Sequence, residues 1–252
     1  MVKKYYAERI TERSRRVVSL YDAIEAIEYI VEELGCSEPH LTGIEDLYRG
    51  VLEIRVIECS EGEQYESQLV KEIEGSIGKR VRIVKGSIGY GPGIEDLYRE
   101  LVGLVKRDIV DIVRPLAVET ALRGGVEYIS ILLRDARWVI LEGEKHRVRI
   151  PWIDNAIAVS HTHPPASCVP SRPDIESCIE LLSSGGILCN IVSTGCLFTL
   201  YLEGPLGEDD YEHLMKIYNR YDEIIEQTSD IWDLMKIIAG SSRRLRLSYE
   251  YI

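Results

Sequence analysis

Phenylalanine is nearly missing from this chain of 252 residues, which has one against fifteen tyrosines. Glutamine is scarce too, while lysine, glutamate and arginine are abundant. That balance leans towards thermophile composition. No Cys-x-x-Cys pair occurs among Cys36, Cys59, Cys168, Cys178, Cys189 and Cys196, which argues against a cysteine-rich structural zinc site. No apolar run approaches the ~18–20 residues of a membrane-spanning helix, so no membrane association is expected. Nor does an apolar stretch follow Met1-Val2-Lys3-Lys4-Tyr5-Tyr6, and no secretory leader is read there. These absences predict a cytoplasmic protein with mostly reduced thiols, intracellular disulfides of thermophiles being the known exception. Positive charge is also in deficit. A net charge of -12 repels phosphate backbones and makes duplex nucleic acid a poor partner. The one basic run, Arg243-Arg244-Leu245-Arg246, reads as a solvated end.

What is present is an ordinary globular composition, 45% hydrophobic and 29% charged. A chain of this length buries a core without staples, as one large domain or two small ones. Helical spacing of Leu20, Ala23, Ile24, Ile27, Ile30 and Val31 predicts a helix from Ser19 to Leu34, closed by Gly35. A strand is expected over Val51–Cys59, a helix over Gln64–Ile77 and a strand over Val81–Val84. Gly86–Gly93 reads as an ordinary turn. The heptapeptide Gly-Ile-Glu-Asp-Leu-Tyr-Arg occurs at Gly43–Arg49 and again at Gly93–Arg99. Its flanks do not repeat, so two similar helix starts after glycine turns are expected rather than a duplication.

Further on, Ile109–Leu122 reads as a helix. Val126–Leu133 and Trp138–Leu141 read as a hairpin, and Val148–Ile150 as another strand. Ala156–Ser160 is a short buried strand running into His161. Ile175–Leu182 is read as a helix, and Ile187–Val192 with Leu197–Leu202 as a strand pair. Helices over Tyr211–Gln227 and Ile231–Ile238 are expected to finish the chain. The order predicts an α/β (α+β) fold: a small α/β N-terminal domain of unknown role over 1–108, then a second domain over 109–252. No Pro/Ser-rich linker separates them.

One segment carries chemistry: Ser160-His161-Thr162-His163-Pro164, followed by Ser171-Arg172-Pro173-Asp174. Alternation along a strand points His161 and His163 the same way. Two imidazoles there can share a metal, and Asp174 at the next helix start can add a third ligand, leaving a water position open. Ser171 and Asp174 also read as a helix N-cap and its capping-box partner. Both readings hold together, because a cap fixes the acid at N3. Two histidines and a carboxylate also describe the facial triad of non-haem iron oxygenases, whose ligands are usually spaced differently.

His161-x-His163-Pro164, six residues, Ser171, two residues, Asp174 resembles the JAMM/MPN+ zinc metalloprotease signature at every fixed position. The resemblance is specific over residues 156–178 and looser over 109–225. It does not reach residues 1–108, and bacterial RadC-type proteins share a similar run. It implies an MPN-like mixed sheet flanked by helices, with one Zn2+ held by His161, His163 and Asp174. It further implies Ser171 near the oxyanion and an upstream glutamate as general base. Glu127, in Gly125-Val126-Glu127-Tyr128, is the best match, ahead of Glu119 and Glu142. The implied activity is hydrolysis of a peptide or isopeptide bond in a protein substrate, such as a ubiquitin-like conjugate or its C-terminal tail. A non-catalytic MPN-type interaction module is the alternative, and a homodimer is left open.

Other residues draw milder readings. Cys168 is expected to be a loop thiol rather than a metal ligand. Cys189 and Cys196 are expected to be buried free thiols, although a bridge between them stays open. His146 and His213 read as solvated. Trp138, Trp152 and Trp232 read as core or interface anchors.

Overall fold

The structure is a computed structural model and describes residues 4–60, 63–86, 91–145, 155–164, 168–228, 230–240, 242 and 244–252. The chain forms two compact units, Arg16–Leu101 and Met1–Arg15 with Val102–Ile252. The divisions fall inside helices α1 (Glu12–Leu34) and α4 (Ile94–Ile112). With about 49% helix and 28% strand, the protein is mixed α/β. Among the described residues, no helix is long and apolar enough to cross a membrane.

In the unit Arg16–Leu101, β3 (Val51–Val56) is flanked by β2 (His40–Leu41), antiparallel, and β4 (Arg80–Lys85), parallel. A parallel neighbour needs a crossover, which α3 (Glu63–Ile77) supplies. Val17, Leu20, Ile24, Ile27 and Leu34 of α1 are buried at helical spacing, and Leu52, Ile54 and Val56 of β3 at strand spacing. The repeated heptapeptide begins a short helix α2 (Ile44–Tyr48) and the long α4, each directly after its glycine. A disulfide joins Cys36 to Cys59.

The second unit is built on a seven-stranded sheet, in order β1-β6-β5-β7-β8-β9-β10. These are β1 (Lys4–Ile10), β5 (Val126–Leu133), β6 (Arg137–Lys145), β7 (Ala156–Thr162), β8 (Leu188–Val192), β9 (Cys196–Leu202) and β10 (Leu245–Tyr251). Only β7 and β8 run parallel, and α6 (Arg172–Ser183) connects them. The central strands are buried along nearly their whole length. That is why they read as apolar runs rather than alternating ones. Trp138 of β6 is fully buried and donates from Nε1 to the fully buried Asp108 at 3.0 Å.

Several expectations are corrected. The N-terminal residues are not part of a 1–108 domain: residues 4–10 form edge strand β1, paired antiparallel with β6. The first helix begins at Glu12, not Ser19. Thr11 Oγ1 accepts from Ser14 N (2.8 Å) while Ser14 Oγ accepts from Thr11 N (3.0 Å), a reciprocal cap before the apolar stripe starts. The strand expected over Val51–Cys59 ends at Val56. The helix expected over Ile109–Leu122 is the end of α4 and a separate α5 (Arg114–Leu122) with Pro115 in its first turn. Proline lacks the N–H that would have continued α4. The helix expected over Tyr211–Gln227 divides into α7 (Glu208–Asn219) and α8 (Tyr221–Gln227).

The chain does not finish with α9 (Ile231–Ala239) but with strand β10, so the basic run is not a free end. Arg246 pairs with Glu203 at 2.9 Å and Arg244 Nη1 donates to Pro205 O at 2.8 Å. His213 is not solvated: its Nε2 lies 3.0 Å from Ile238 O. Trp232 is about half exposed rather than in the core. The strand over Val148–Ile150, His146, Trp152 and part of Gly86–Gly93 lie outside the described residues.

Candidate metal centre

Strand alternation and a helix cap bring three ligand-type side chains together. His161 is the penultimate residue of β7, and His163 follows the strand, held by its N–H on Val192 O at 2.8 Å. Thr162 between them points to the opposite face. There its Oγ1 accepts from Tyr128 N (2.9 Å) and lies 2.6 Å from Thr120 Oγ1 of α5. That buried anchor fixes the backbone from which both imidazoles project.

Asp174 enters from α6. Ser171 is the N-cap: its Oγ accepts from Asp174 N at 3.4 Å, and Asp174 Oδ2 accepts from Ser171 N at 2.6 Å. The capping box therefore aims the carboxylate. His161 Nε2 lies 3.0 Å from Asp174 Oδ1, His163 Nε2 lies 3.3 Å from Oδ2, and the two Nε2 atoms are 3.0 Å apart. One ligand atom from each residue falls within 4.8 Å of the others, so the group could hold a metal ion. Burial pushes the Asp174 carboxyl up, but the imidazoles of His161 and His163 outweigh it and hold the group well below its ordinary value. The carboxylate form, the one that binds a cation, is the form this site favours.

Glu127 stands on β5. Ile129 faces His161 across the β5–β7 ladder, and continuing that register by two residues sets Glu127 opposite His163. A bulge places two β6 residues, Gly143 and Glu144, against Glu127, and such bulges re-aim neighbouring side chains. Glu127 is buried, and burial pushes its carboxyl up from 4.5 to about 7, with His163 pulling down and Asp174 pushing up. Its alternatives are engaged elsewhere. Glu119 accepts from Tyr6 Oη at 3.2 Å, and Glu142, opposite Tyr128 on the other face, is paired with Arg123 at 2.7 Å.

The cysteines differ from expectation. Cys168 is neither a loop thiol nor a metal ligand but is bridged to Cys196, tying the loop before Ser171 to the start of β9. Cys196 is therefore not a free thiol, while Cys189 is free and buried beside Cys178. With Cys36–Cys59, four of the six cysteines are paired, against the mostly reduced state expected. Sequence reading also missed Tyr221 of α8, whose buried hydroxyl donates to Pro170 O and steadies the backbone before Ser171. Fifty-one positions separate those partners, and no local pattern signals the contact.

Compared with protein-family models, curated proteins and solved structures, the chain matches none.

Proposed function

We propose that this protein is a zinc-dependent hydrolase of peptide or isopeptide bonds, with an MPN-like fold around the β7–α6 site. The observation that carries the reading is the convergence of His161, His163 and Asp174 within 4.8 Å, with Glu127 in register beside them. Two imidazole nitrogens and one carboxylate are a donor set suited to catalytic zinc. A zinc ion held by these three would supply Lewis-acid chemistry, polarising a carbonyl and acidifying water.

The remaining steps belong to the chain. Glu127 takes a proton from the attacking water and returns it to the leaving amine. Its buried setting lifts its proton affinity towards neutrality, where such a shuttle works best. The Ser171 hydroxyl, whose oxygen already accepts from Asp174 N, keeps its own hydrogen for the developing oxyanion. The capping box holds Ser171 and Asp174 as a unit, so the oxyanion donor and the metal ligand keep a fixed separation. Cys168–Cys196 and Tyr221 brace the loop that leads into them. The substrate class follows from the motif resemblance: a ubiquitin-like conjugate or its C-terminal tail, in a cytoplasmic setting.

Elemental analysis tests the reading. About one zinc per chain is expected in the wild type, lost in His161→Ala/His163→Ala. Glu127→Gln is expected to keep the metal and lose hydrolysis of a ubiquitin-like fusion. A wild type that takes up no zinc on reconstitution would refute the enzyme and leave a non-catalytic interaction module.

A further inference from the structure

Among the described residues the seven-stranded sheet has two open edges, and they are built differently. Strand β1 carries a bulge between Tyr5 and Ala7 against β6, one of the devices that protect an edge from pairing. Strand β10 pairs with β9 over all seven residues without a shift. It contains no proline or glycine, and among the described residues no strand covers its other side.

The direction of its free backbone groups can be read from the ladder. Glu203 N donates to Arg244 O at 2.8 Å, and Ile252 N donates to Gly195 O at 3.2 Å. Even-numbered residues therefore bond to β9, and the N–H and C=O groups of Leu245, Leu247, Tyr249 and Tyr251 point to the other side, where those of Leu245 are taken by Ser242 Oγ (2.8 Å) and Arg246 Nη1 (3.1 Å). The same four residues share one face. There Tyr249 meets Tyr251 (ring centroids 5.4 Å) and Trp232 of α9 (5.8 Å), and Trp232 and Tyr251 are exposed.

The strand complements itself. Read antiparallel about Ser248, Leu245 faces Tyr251, Leu247 faces Tyr249 and Arg246 faces Glu250. Every apolar side chain meets an apolar one, and the strand's charges meet their opposites. Arg246 and Glu250 are already paired within each copy, with Glu203 at 2.9 Å and Lys106 at 2.7 Å, so their facing across the seam adds charge complementarity to bonds already made. Ser248 also ends a polar row that crosses the sheet at one level, Ser130, Ser160, Asn190, Thr199 and Ser248. A two-fold axis at Ser248 continues that row into the second copy.

We propose that β10 is a dimer interface: the β10 strands of two copies pair antiparallel about Ser248, joining two seven-stranded sheets into one. Leu247 and Tyr249 of each copy exchange both backbone hydrogen bonds with Tyr249 and Leu247 of the other, while the N–H of Leu245 stays on Ser242 Oγ at 2.8 Å. The contact is isologous, so it closes at two copies and does not propagate. It also covers the exposed aromatics of β10 and α9 on one face. The pairing leaves the metal centre's own residues untouched and stands whether or not the site is catalytic.

Sedimentation equilibrium of the full chain tests the proposal, with cysteine scanning of β10 to fix the register. The wild type is expected at twice 28.7 kDa. Ser248→Cys faces its own copy at the ~4.5 Å Cα spacing of a non-hydrogen-bonded pair, within disulfide reach. Under mild oxidation it is expected to run as a covalent dimer on a non-reducing gel. Tyr251→Cys is the control: although more exposed, two copies would lie roughly 20 Å apart at ~3.4 Å per residue, and no cross-link is expected. A monomeric wild type overturns the proposal. So does a dimer in which Ser248→Cys fails to cross-link, or in which Tyr251→Cys cross-links as readily.

Discussion

Glu127→Gln is expected to stabilise the metal-free protein, although it removes the proposed base. Burial raises the Glu127 carboxyl from 4.5 to about 7 in the folded protein. The folded state then binds a proton that the unfolded state releases between those values. Stability changes with pH as the unfolded minus the folded proton count, which is negative in this window. The contribution is intact below about pH 4.5 and is progressively lost as pH rises through 7. A shift of this size is worth up to ~3 kcal/mol at 1.36 kcal/mol per pH unit. Glutamine keeps the shape and has no charge to bury, so the variant escapes the loss. After dialysis against chelator, the two proteins should melt together near pH 4. By pH 8 the variant should melt roughly 6–12 °C higher, taking ~2–4 °C per kcal/mol for a unit of this size. Differential scanning calorimetry across that range is the assay. Asp174 and both histidines are common to the two proteins, so the difference reports the Glu127 charge together with its coupling to His163 and Asp174. A melting difference that stays flat from pH 4 to 8, or a variant less stable throughout, would refute the reasoning.

Other expectations follow from groups outside the metal cluster. Asp108 is fully buried and accepts from Thr11 Oγ1, Arg13 Nε and Trp138 Nε1 at 2.7–3.0 Å. Asp108→Ala strands the partly exposed Arg13 and leaves the indole unpaired, a loss of ~3 kcal/mol or more, read by urea unfolding followed through tryptophan fluorescence. Opening Cys36–Cys59, which spans 23 positions, by Cys36→Ser/Cys59→Ser should cost about 3 kcal/mol in chain entropy. That effect should appear in the unfolding of residues 16–101 and leave zinc content unchanged. Tyr221→Phe removes the hydroxyl that meets Pro170 O. It should cost ~1 kcal/mol and weaken zinc retention in a chelator competition, whereas unchanged retention would show that the Ser171 loop holds itself.

The candidate site was far more legible in the sequence than the sheet that carries it. His161, His163 and Asp174 are near neighbours in sequence, and two local rules place them: strand alternation for the histidines and the capping box for the acid. Glu127 depended on element order, and the ladder from Ile129–His161 then supplied its register. The sheet's edges were harder. Strand β10 does alternate, with Leu245, Leu247, Tyr249 and Tyr251 on one face, yet its arginines drew the reading towards a solvated end. Strand β1 has little pattern of its own, and its place rests on pairing with β6 more than a hundred positions away.

The legible features are therefore local: the alternating pair of histidines, the cap that aims Asp174, and most helices and central strands. Each depends on residues within a turn or a strand of one another, where spacing maps directly onto direction. Which distant segments meet is a matter of how the whole chain packs, and the fold supplied that answer. It set β1 and β10 at opposite edges of one sheet, bridged Cys168 to Cys196, and seated Tyr221 against Pro170. It also buried Glu127 enough to lift its carboxyl to about 7. Burial and long-range pairing are properties of the packed chain, set by what each residue faces across the sheet and not by what adjoins it in sequence.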